Sequence, residues 1–585
     1  MDADRAAARV KLLNEAQSHR GPDHSVVATA GVFTLGNTRL AIQDPGPSGN
    51  QPFVSADGRY HCVFNGEIYN HRRLVERYAL PVDTFCDGEV IPELWSKLGV
   101  ASLAELRGMF AIALVDSLEQ RLYLARDPFG IKPLYWRRLR QGLIFASDVR
   151  PLAEGARIDA VAIARCLHLG AVAGDRSPFL DVMAVPPNSV TVFDRDGHAS
   201  VQPILPGGPL AIAAGGDLET ALTDSVELHL GADVPTALLL SAGIDSAAIA
   251  AASRRLGRDL DCLTVATDGA SDESNEAAKT AQHYGHRFRR IPAVLEEGDV
   301  ARFFAAMQRP TIDGLNTYVV SKAVHEAGFK VALSGLGGDE AVGGYSHFRL
   351  LKYLPILRLL DRMPKPANGP VANILAQIGN TGSAKSKKLI AAGGPREAWG
   401  LSLLQREVLP APLVTELTGI DSRPLADSPG SRGVLNSGTF SAMVAAEVAI
   451  YLQAMLLPDA DGFSMASSVE LRVPFVDRYV FSASLRLADG KSTPPGKGAA
   501  GMALHDSYLR RLATQPKRGF SLPMRRWMMG PLASVLSAAS EPGAAVWSVV
   551  DRKIADRAGL LPLRPGRRWS EAWALAVINA WLETG

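Results

Sequence analysis

The sequence predicts two domains of different fold class: a layered α+β domain over residues 1–205 and an α/β domain with a parallel sheet over residues 210–585. The chain of 585 residues is longer than one hydrophobic core usually supports. In the first part, short alternating apolar runs are separated by turns, which is typical of a β-rich layered domain. From residue 217 onward, strand patterns alternate with helix patterns, which indicates a parallel sheet.

The composition is normal for a soluble globular protein, with 47% hydrophobic and 21% charged residues. The formal net charge of +2 argues against a nucleic-acid partner. The four cysteines lie far apart without a Cys-x-x-Cys pair, which argues against a zinc site or a disulfide framework and is typical of a reducing cytoplasm. Because no apolar run is long enough to cross a bilayer and the N-terminus is charged, we expect neither a membrane span nor a signal peptide.

The first domain is predicted to open with a helix over Asp4–Gln17, which stops at the breaker His19-Arg-Gly-Pro-Asp23. Two further helices are predicted near Leu74–Tyr78 and Gly88–Leu98. Strands are predicted over Ser25–Thr34, Thr38–Gln43, Tyr60–Phe64, Phe110–Val115, Arg121–Ala125 and Gly142–Ala146, with a last strand pair in Met183–Phe193. Proline and glycine in residues 203–209 and 213–216 indicate a linker to the second domain.

Polar residues of the first domain stand at places where a ligand could bind. Asn65 and Gly66 follow a predicted strand, and their amide and backbone N–H could stabilise an oxyanion, although Asn-Gly is also the favoured pair of a type I′ hairpin turn. Arg39 could hold a carboxylate or be an ordinary surface arginine. Asp87 could hold an ammonium group, but a lone aspartate before a helix is more often an N-cap.

The second domain is organised around one strand and the loop that follows it. A buried strand over Ala237–Leu240 runs into the small-residue turn Ser241–Gly243, and a helix is predicted from Ser246 to about Arg255. This order directs free backbone N–H groups at an anion, and small side chains allow a phosphate to approach. Asp245 would repel a phosphate unless a Mg²⁺ ion separated them; an ordinary turn with capping residues is the alternative.

A second loop of this kind follows the predicted strand Lys330–Leu333. Five glycines of residues 334–345 surround Asp339 and Glu340. Because ligands of an open parallel sheet bind outside the carboxyl ends of its strands, we expect both loops to line one cleft, with Asp245 and Asp339 facing the same metal ion. A flexible surface loop is the weaker alternative.

The other elements of the second domain continue the alternation. A strand is predicted over Leu260–Thr267, and helices over Leu218–Leu230, Asn275–Tyr284, Val319–Ala327, Leu532–Ala539, Val546–Arg557 and Trp569–Leu582. Three tryptophans of the tail are expected in the core rather than at a ligand: Trp569, Trp573 and Trp581.

A series of blocks occurs in order in the first half: His19–Asp23, Leu35–Ile42, Gln51-Pro52, Phe64–His71, Asp87–Ile91, Leu106–Phe110, Ala125–Tyr135 and Phe145–Ser147. Together they resemble the N-terminal glutaminase domain of the asparagine synthetase family. The resemblance implies a fold of the N-terminal-nucleophile type. It also implies glutamine contacts at Arg39, Asn65, Gly66, Glu67 and Asp87.

The N-terminus departs from that family. Its members begin Met-Cys-Gly-Ile, and the cysteine, exposed after removal of the methionine, is a nucleophile whose own α-amine can serve as the base. This chain begins Met1-Asp2, and Cys62 and Cys86 cannot replace the terminal cysteine because neither carries a free α-amine. Either the true start lies upstream, or the domain is a glutaminase relic that has kept its fold; we expect no glutaminase activity from the chain as given.

Blocks of the second half resemble the synthetase domain of the same family, an adenylating fold of the PP-loop ATP pyrophosphatase type: Ser241–Ser246, Asp272–Ser274, Asp313–Tyr318, Ser334–Tyr345, Ser464–Asp477 and Lys517–Pro523. The resemblance implies ATP and Mg²⁺, a carboxylate activated as an acyl-adenylate, and a catalytic role for Lys497. The metal ligands would be Asp245 and Asp339. The implied ATP contacts are Leu240, Ser241, Gly243, Ile244, Asp245, Ser246, Val265, Ser334 and Gly335.

Three departures bear on the product. Ala242 replaces a glycine, which is tolerable only if its φ is below zero. Leu336, expected in the acyl-adenylate pocket, stands where asparagine-forming members carry an acid and β-lactam-forming relatives a tyrosine. A leucine cannot accept a proton, so another group must act as base, with Glu470 or a phosphate oxygen as candidates. Pro458–Phe463 replaces a stretch that usually carries Asp-Arg.

The expected function is ATP-dependent amidation of a small-molecule carboxylate, nominally aspartate to asparagine, with an amine or glutamine as the second substrate. A specialised amide-forming or cyclising ligase of a biosynthetic pathway is the alternative within this chemistry. A non-catalytic, nucleotide-binding regulatory homologue is the alternative of another class. A homodimer is left open.

Overall fold

The computed structural model of the chain describes residues 3–213, 215–266, 272–355, 397–421, 439–488, 496–515, 522–563 and 568–584. Three of the sequence predictions reach beyond these residues: position 214 of the predicted linker, Thr267 at the end of a predicted strand, and 517–521, the greater part of the last sequence block.

The first domain has two β layers, with apolar side chains packed between them and helices outside. Its strands are β1 His24–Ala30, β2 Phe33–Arg39, β3 Phe53–Val54, β4 Tyr60–Ile68, β5 Gly108–Asp116, β6 Arg121–Arg126, β7 Tyr135–Leu139, β8 Gly142–Ala146, β9 Met183–Ala184, β10 Ser189–Phe193 and β11 Ala199–Pro203. One layer is the antiparallel sheet β11-β10-β6-β5-β4-β3, and the other holds the hairpin β1-β2 and the sheet β8-β7-β9. The α helices are α1 Ala3–Ala16, α2 His71–Tyr78, α3 Val90–Leu98 and α4 Ala160–Leu169.

A gap separates the two parts of the second layer. Among the described residues, β2 pairs only with β1, and β8 pairs only with β7, so one edge of each has no strand partner. Residues 34, 36–40 and 143–147 line one cavity of about 190 Å³ between them. Helix α1 covers the gap on one side, and Gly36 lets it approach β2, since a Cβ there would lie 2.4 Å from Val10.

Five interpretations of the first-domain sequence are wrong, four of which concern its strands and turns. The run Ser25–Thr34 is not one strand, because it turns at Gly31, where φ is +62°, to form the hairpin β1-β2. The predicted strand Thr38–Gln43 ends as β2 at Arg39, and Met183–Phe193 contributes β9 and β10 to different sheets. Asn65 and Gly66 do not form a turn: they lie within β4, opposite Ala111 and Phe110.

Gly66 explains why a pair typical of a turn sits inside a strand. Its φ is +144°, which side chains rarely adopt, and a Cβ there would lie 2.0 Å from the carbonyl oxygen of Met109 on β5. Asp87 is also not an N-cap. Its carboxylate accepts the N–H of Ile68 on β4 at 2.6 Å and is almost completely buried.

The second domain holds a parallel sheet of five strands in the order β14-β13-β12-β15-β16. The strands are β12 Thr236–Leu239, β13 Asp261–Ala266, β14 Arg287–Pro292, β15 Val331–Leu333 and β16 Glu470–Arg472. The α helices are α5 Leu218–His229, α6 Ile244–Arg255, α7 Ser274–Tyr284, α8 Glu297–Ala306, α9 Leu315–Glu326, α10 Gly338–Val342, α11 Ala398–Arg406, α12 Ala411–Thr418, α13 Thr439–Glu447, α14 Leu457–Met465, α15 Arg478–Ala488, α16 Gly496–Ala503, α17 Ser507–Ala513, α18 Met524–Met528, α19 Ala533–Ser540, α20 Arg552–Ala558 and α21 Trp569–Glu583.

Strands β14 and β16 and helix α8 were not predicted. The predicted helix Val546–Arg557 is instead a 3₁₀ turn followed by α20, whose N-cap Asp551 accepts the N–H of Ile554. Trp573 and Trp581 lie in the core, as predicted for the tryptophans of the tail. Trp569 is only half-buried.

Residues Thr439–Met465 form one continuous helical stretch of 27 residues, with a π-helical segment between α13 and α14. Its length and apolar composition would suffice to cross a membrane, but 67% of its most apolar window is buried inside the protein. It therefore reads as a core helix. All four cysteines are free and buried.

Buried ion pairs join the two domains. Arg20 donates to Asp148 at 3.0 Å and to Asp461 at 2.6 Å, and Lys132 donates to Asp461 at 3.1 Å. Asp461 belongs to the stretch Pro458–Phe463 that departs from the family pattern. Removing one partner of such a buried set would leave an uncompensated charge, so the set stabilises one arrangement of the domains.

Candidate active site

The loop after β12 is closed on itself by short hydrogen bonds. The N–H of Ser241 donates to Oγ of Ser246 at 3.1 Å, and the N–H of Gly243 donates to Oγ of Ser241 at 3.2 Å. Helix α6 begins directly afterwards, so its first N–H groups and positive dipole end point along the loop. Ala242 does not adopt a positive φ, so its methyl group is accommodated here, as the sequence required.

Glycines bring the loop after β15 against this one. A Cβ at Gly335 would lie 2.9 Å from the backbone nitrogen of Ser246, and a Cβ at Gly338 would lie 2.7 Å from the carboxyl carbon of Asp245. Gly337 has a φ of +90° and precedes α10. This conformation lets α10 begin at Gly338 and brings Asp339, in its first turn, close to Asp245. The glycine-rich composition thus serves close packing of two loops rather than flexibility.

Lys497 shows that the two aspartates converge on one cation position. Its ammonium lies 2.8 Å from Oδ2 of Asp245 and 2.8 Å from Oδ1 of Asp339. Burial alone would lower the pKa of Lys497, but the two carboxylates outweigh it and raise that pKa above its ordinary value. Two carboxylates that meet at one cation also fit Mg²⁺, which prefers oxygen ligands.

A cavity of about 340 Å³ opens beside these loops, at the carboxyl ends of the strands. Its lining contains nine of the residues predicted for nucleotide, metal and acyl-adenylate: Leu240, Ser241, Asp245, Ser246, Val265, Ser334, Gly335, Leu336 and Asp339. Gly243 and Ile244 do not line it: Gly243 caps α6, and Ile244 points into the core. Helix α9 and two tyrosines also line it: Asn316, Thr317, Val320, Ser321, Tyr345 and Tyr451. Asn316, Thr317 and Tyr345 fall within sequence blocks of the family resemblance, but none of the six was predicted as a site residue.

Leu336 lies in the apolar part of this cavity, with Val320 and Leu456 also in the wall. The nearby polar group is a buried pair, in which the hydroxyl of Tyr345 donates to Oε1 of Glu340 at 2.5 Å. Burial raises the pKa of Glu340 to about 7. Leu336 itself therefore offers only packing, as the sequence indicated.

Arg406 packs against the two tyrosines that line the cavity, Tyr345 and Tyr451. The guanidinium carbon of Arg406 lies 3.5 Å from the ring centre of Tyr451 and 4.4 Å from that of Tyr345. Glu447, which is completely buried, accepts from Arg406 at 2.5 Å and from Ser402 at 2.5 Å, and its carboxylate lies 2.9 Å from His347. This cluster holds Arg406 against Tyr345 and Tyr451 and so fixes the two tyrosine rings in the cavity lining.

We expect Glu447→Gln to lower the free energy of unfolding by about 3 kcal/mol, because it leaves the charge of Arg406 buried without its partner. Burial alone would raise the pKa of Glu447, but Arg406 and His347 outweigh it and lower that pKa from 4.5 to about 2. The wild type should therefore lose this stability as pH falls from 4.5 towards 2. Urea unfolding across that range measures both effects. Exposed Glu416→Gln is the control, and an unchanged pH slope in Glu447→Gln would contradict the assignment.

Glu470 lies at the wrong end of the sheet to be the base. It pairs with Val331 at the beginning of the parallel strands β15 and β16, whereas Leu336 follows the end of β15. Its carboxylate accepts from Arg472 at 2.8 Å, and it lines the cavity of the first domain. The predicted role of Glu470 beside Leu336 is therefore wrong, because strands β15 and β16 run in the same direction.

The first-domain cavity contains three of the five predicted glutamine contacts: Arg39, Asn65 and Gly66. The Asn65 amide donates to Oγ of Ser147 at 3.2 Å. The guanidinium of Arg39 donates to carbonyl oxygens of the loop after β2, among them Gly46 at 2.8 Å. The other two, Glu67 and Asp87, are buried behind the wall. Cys62 and Cys86 are not part of this lining, and burial raises the pKa of both thiols, which disfavours a nucleophilic thiolate.

Two family models match the chain in order. A glutamine amidotransferase domain matches residues 1–203, and asparagine synthase matches residues 217–583. The chain belongs to the asparagine synthase family. Its fold is accordingly a glutamine amidotransferase domain followed by an α/β synthetase domain with a parallel sheet. Members of the family are carbon–nitrogen ligases, so this chain is a ligase that carries out ATP-dependent amidation.

Relatives match over most of the chain. A Mycobacterium tuberculosis protein with the provisional name asparagine synthetase (glutamine-hydrolysing) is 30% identical over 89% of this chain and 85% of its own length. Asparagine synthetase (glutamine-hydrolysing) 1 of Bacillus subtilis is 27% identical over 89% of this chain and 84% of its own length. Amidase chry2 of Gibberella zeae is 30% identical over 60% of this chain and 57% of its own length.

Proposed function

We propose that this ligase activates a small-molecule carboxylate with ATP and Mg²⁺, and transfers the acyl group from the resulting acyl-adenylate to an amine in the cytoplasm. The observation that carries the proposal is the meeting of Asp245, Asp339 and Lys497 at the mouth of a cavity lined by two glycine- and serine-rich loops. AMP and pyrophosphate are the expected by-products.

Each part of the cavity has a proposed task. Loop residues Ser241 and Ser246 lie at the start of α6 and would hold the pyrophosphate end of ATP. Asp245 and Asp339 would hold Mg²⁺, which neutralises phosphate charge when it is bound. Lys497 is close enough to both aspartates to stabilise charge on the reacting phosphate and carbonyl. Nucleotide contacts are proposed at Leu240, Val265, Ser334 and Gly335.

Exchange of labelled pyrophosphate into ATP tests the proposal across a panel of carboxylic acids. At least one acid should support exchange, and the exchange should need Mg²⁺. Binding of ATP without exchange on any acid would instead support a regulatory, non-catalytic homologue.

A product other than asparagine is the second candidate, favoured by Leu336. The apolar wall around it suits a specialised amide-forming ligase better than the transfer of ammonia to aspartate. Aspartate should therefore rank below larger or more apolar acids in the exchange panel, and a preference for aspartate would favour asparagine synthesis.

The nitrogen source gives a separate prediction. The chain as given should use free ammonia or another amine and should release no glutamate from glutamine, because no cysteine lines the described part of the first-domain cavity. Glutamate release, followed enzymatically beside amide formation from ammonium salts, is the measurement. Glutamate production equal to amide production would contradict the prediction and show a working glutaminase.

A further inference from the structure

A chain of polar contacts connects the two cavities. Arg39, in the wall of the first, donates to the carbonyl oxygen of Gln43 at 3.0 Å, and the side-chain amide of Gln43 donates to Glu67. Glu67 Oε2 lies 3.0 Å from Nη2 of Arg472 in the second domain. The carbonyl oxygen of Arg472 accepts the N–H of Ser334, in the wall of the second cavity, at 2.8 Å.

Arg472 is the central member of this chain. It is completely buried, and its guanidinium also donates to Glu470 at 2.8 Å, to the carbonyl of His229 at 2.8 Å and to that of Gly231 at 2.7 Å. Charge-assisted hydrogen bonds of this kind hold a side chain in one position. Arg472 is the last residue of β16 and lies beside Leu333, the last residue of β15. Its carbonyl oxygen accepts the N–H of Ser334, so the position of Arg472 sets where the loop after β15 begins.

The loop that starts at Ser334 has little room to adjust. A Cβ at Gly335 would lie 3.1 Å from Cβ of Asp245, so a small shift of the loop changes the relation between the two aspartates. Glu67 is the contribution of the first domain to this arrangement. Its carboxylate is 3% exposed, and its ion pair is with a residue of the other domain.

We propose that Glu67 is a positioning residue of the nucleotide site: it holds Arg472, whose backbone carbonyl fixes the loop that begins at Ser334. The inference rests on the proposed function, since it concerns the same ATP site. It assigns to the first domain a part in ATP binding that requires no glutamine hydrolysis. A purely structural Glu67 would instead contribute only to the stability of the domain junction.

Replacement of Glu67 by glutamine tests this in the full chain. We expect the KM for ATP in pyrophosphate exchange to rise roughly tenfold, with a smaller change in kcat, because the ion pair with Arg472 is lost while Glu470 still pairs with it. Glu93→Gln is the matched control. It is also a buried glutamate of the first domain, but it accepts the N–H of Ala56 within that domain. Glu67→Asp should recover part of the ATP affinity.

The outcomes separate the inference from its basis. A folded Glu67→Gln variant with the wild-type KM for ATP, or a Glu93→Gln variant with the same rise, overturns the inference. If Glu67→Gln does not fold, Glu67→Asp draws the carboxylate away from Arg472 by one methylene without removing the charge, and a wild-type KM there also overturns it. If wild-type protein exchanges pyrophosphate on no acid, the proposed function fails; the Kd of Mg²⁺-ATP from calorimetry, weaker in Glu67→Gln or equal, then decides the inference.

Discussion

Asp339→Ala should lower the rate of carboxylate-dependent pyrophosphate exchange by at least roughly 10²-fold. The reason is that the substitution removes a ligand from a metal site that contributes several kcal/mol of charge stabilisation. Asp245→Ala has the same expected effect because both carboxylates meet at the Lys497 ammonium. Each substitution also removes a partner that holds Lys497 in place. The loss should therefore appear mainly in the rate at saturating ATP, and additional Mg²⁺ should recover only part of it.

The matched control is Asp261→Ala in the same domain. Asp261 is an aspartate at the beginning of β13, paired with Arg287 at 2.8 Å and far from the carboxyl ends of the strands. Its removal should leave exchange unchanged. Exchange that survives both Asp245→Ala and Asp339→Ala would contradict the metal assignment, whereas a loss in the control as well would indicate general damage to the sheet.

The amide-forming step should accelerate steadily with pH in the wild type, while adenylation stays nearly flat. Leu336 cannot accept the proton of an incoming amine, so the reaction depends on amine that is already neutral, which is scarce below its pKa. Leu336→Glu should reduce this dependence and raise the amide step at neutral pH by about 10²-fold, at the lower end of the range for a positioned base. Single-turnover rates of both steps between neutral and alkaline pH measure the effect.

A change of shape at the same position must be separated from a change of chemistry. Leu336→Met keeps an apolar side chain of similar volume and should preserve the wild-type pH profile. A plateau of the wild-type amide step near neutral pH would show that another base acts in the cavity. Loss of adenylation in Leu336→Glu would show that the leucine shapes the substrate pocket and that our account of the proton is wrong.

The two loops of the nucleotide site could be predicted because their signal is local. A buried strand, a run of small residues and an aspartate are adjacent in sequence, and the parallel sheet brings the ends of its strands together. The convergence of Asp245 and Asp339 followed from this rule. The family resemblance implied a catalytic role for Lys497, but its position between the two aspartates came only from the structure. The sequence shows that these loops are rich in glycine, but it does not show which glycine is needed for the close contact between the loops.

The failures concern residues whose surroundings come from distant parts of the chain. Glu470 was placed beside Leu336, yet the direction of β16 puts it at the opposite end of the sheet. The Asn65-Gly66 pair is typical of a turn, and the close backbone of Met109, on a strand more than forty residues away, leaves no trace in the local sequence. Asp87 was read as a cap for the same reason, since its partner is the backbone of Ile68.

The facing edges of β2 and β8 have a consequence for self-association. Each presents backbone N–H and C=O groups that no other described strand satisfies, and Leu143, Ile144 and Phe145 make the β8 edge apolar. Such an edge is a template for any extended chain, including a second copy of this protein, and natural sheets protect it with charge, proline or a covering element. Here the covering element is the amphipathic N-terminal helix α1, whose Val10 and Leu13 line the gap. The first fourteen helical residues thus act as a shield, and a chain trimmed of them would expose an aggregation-prone seam.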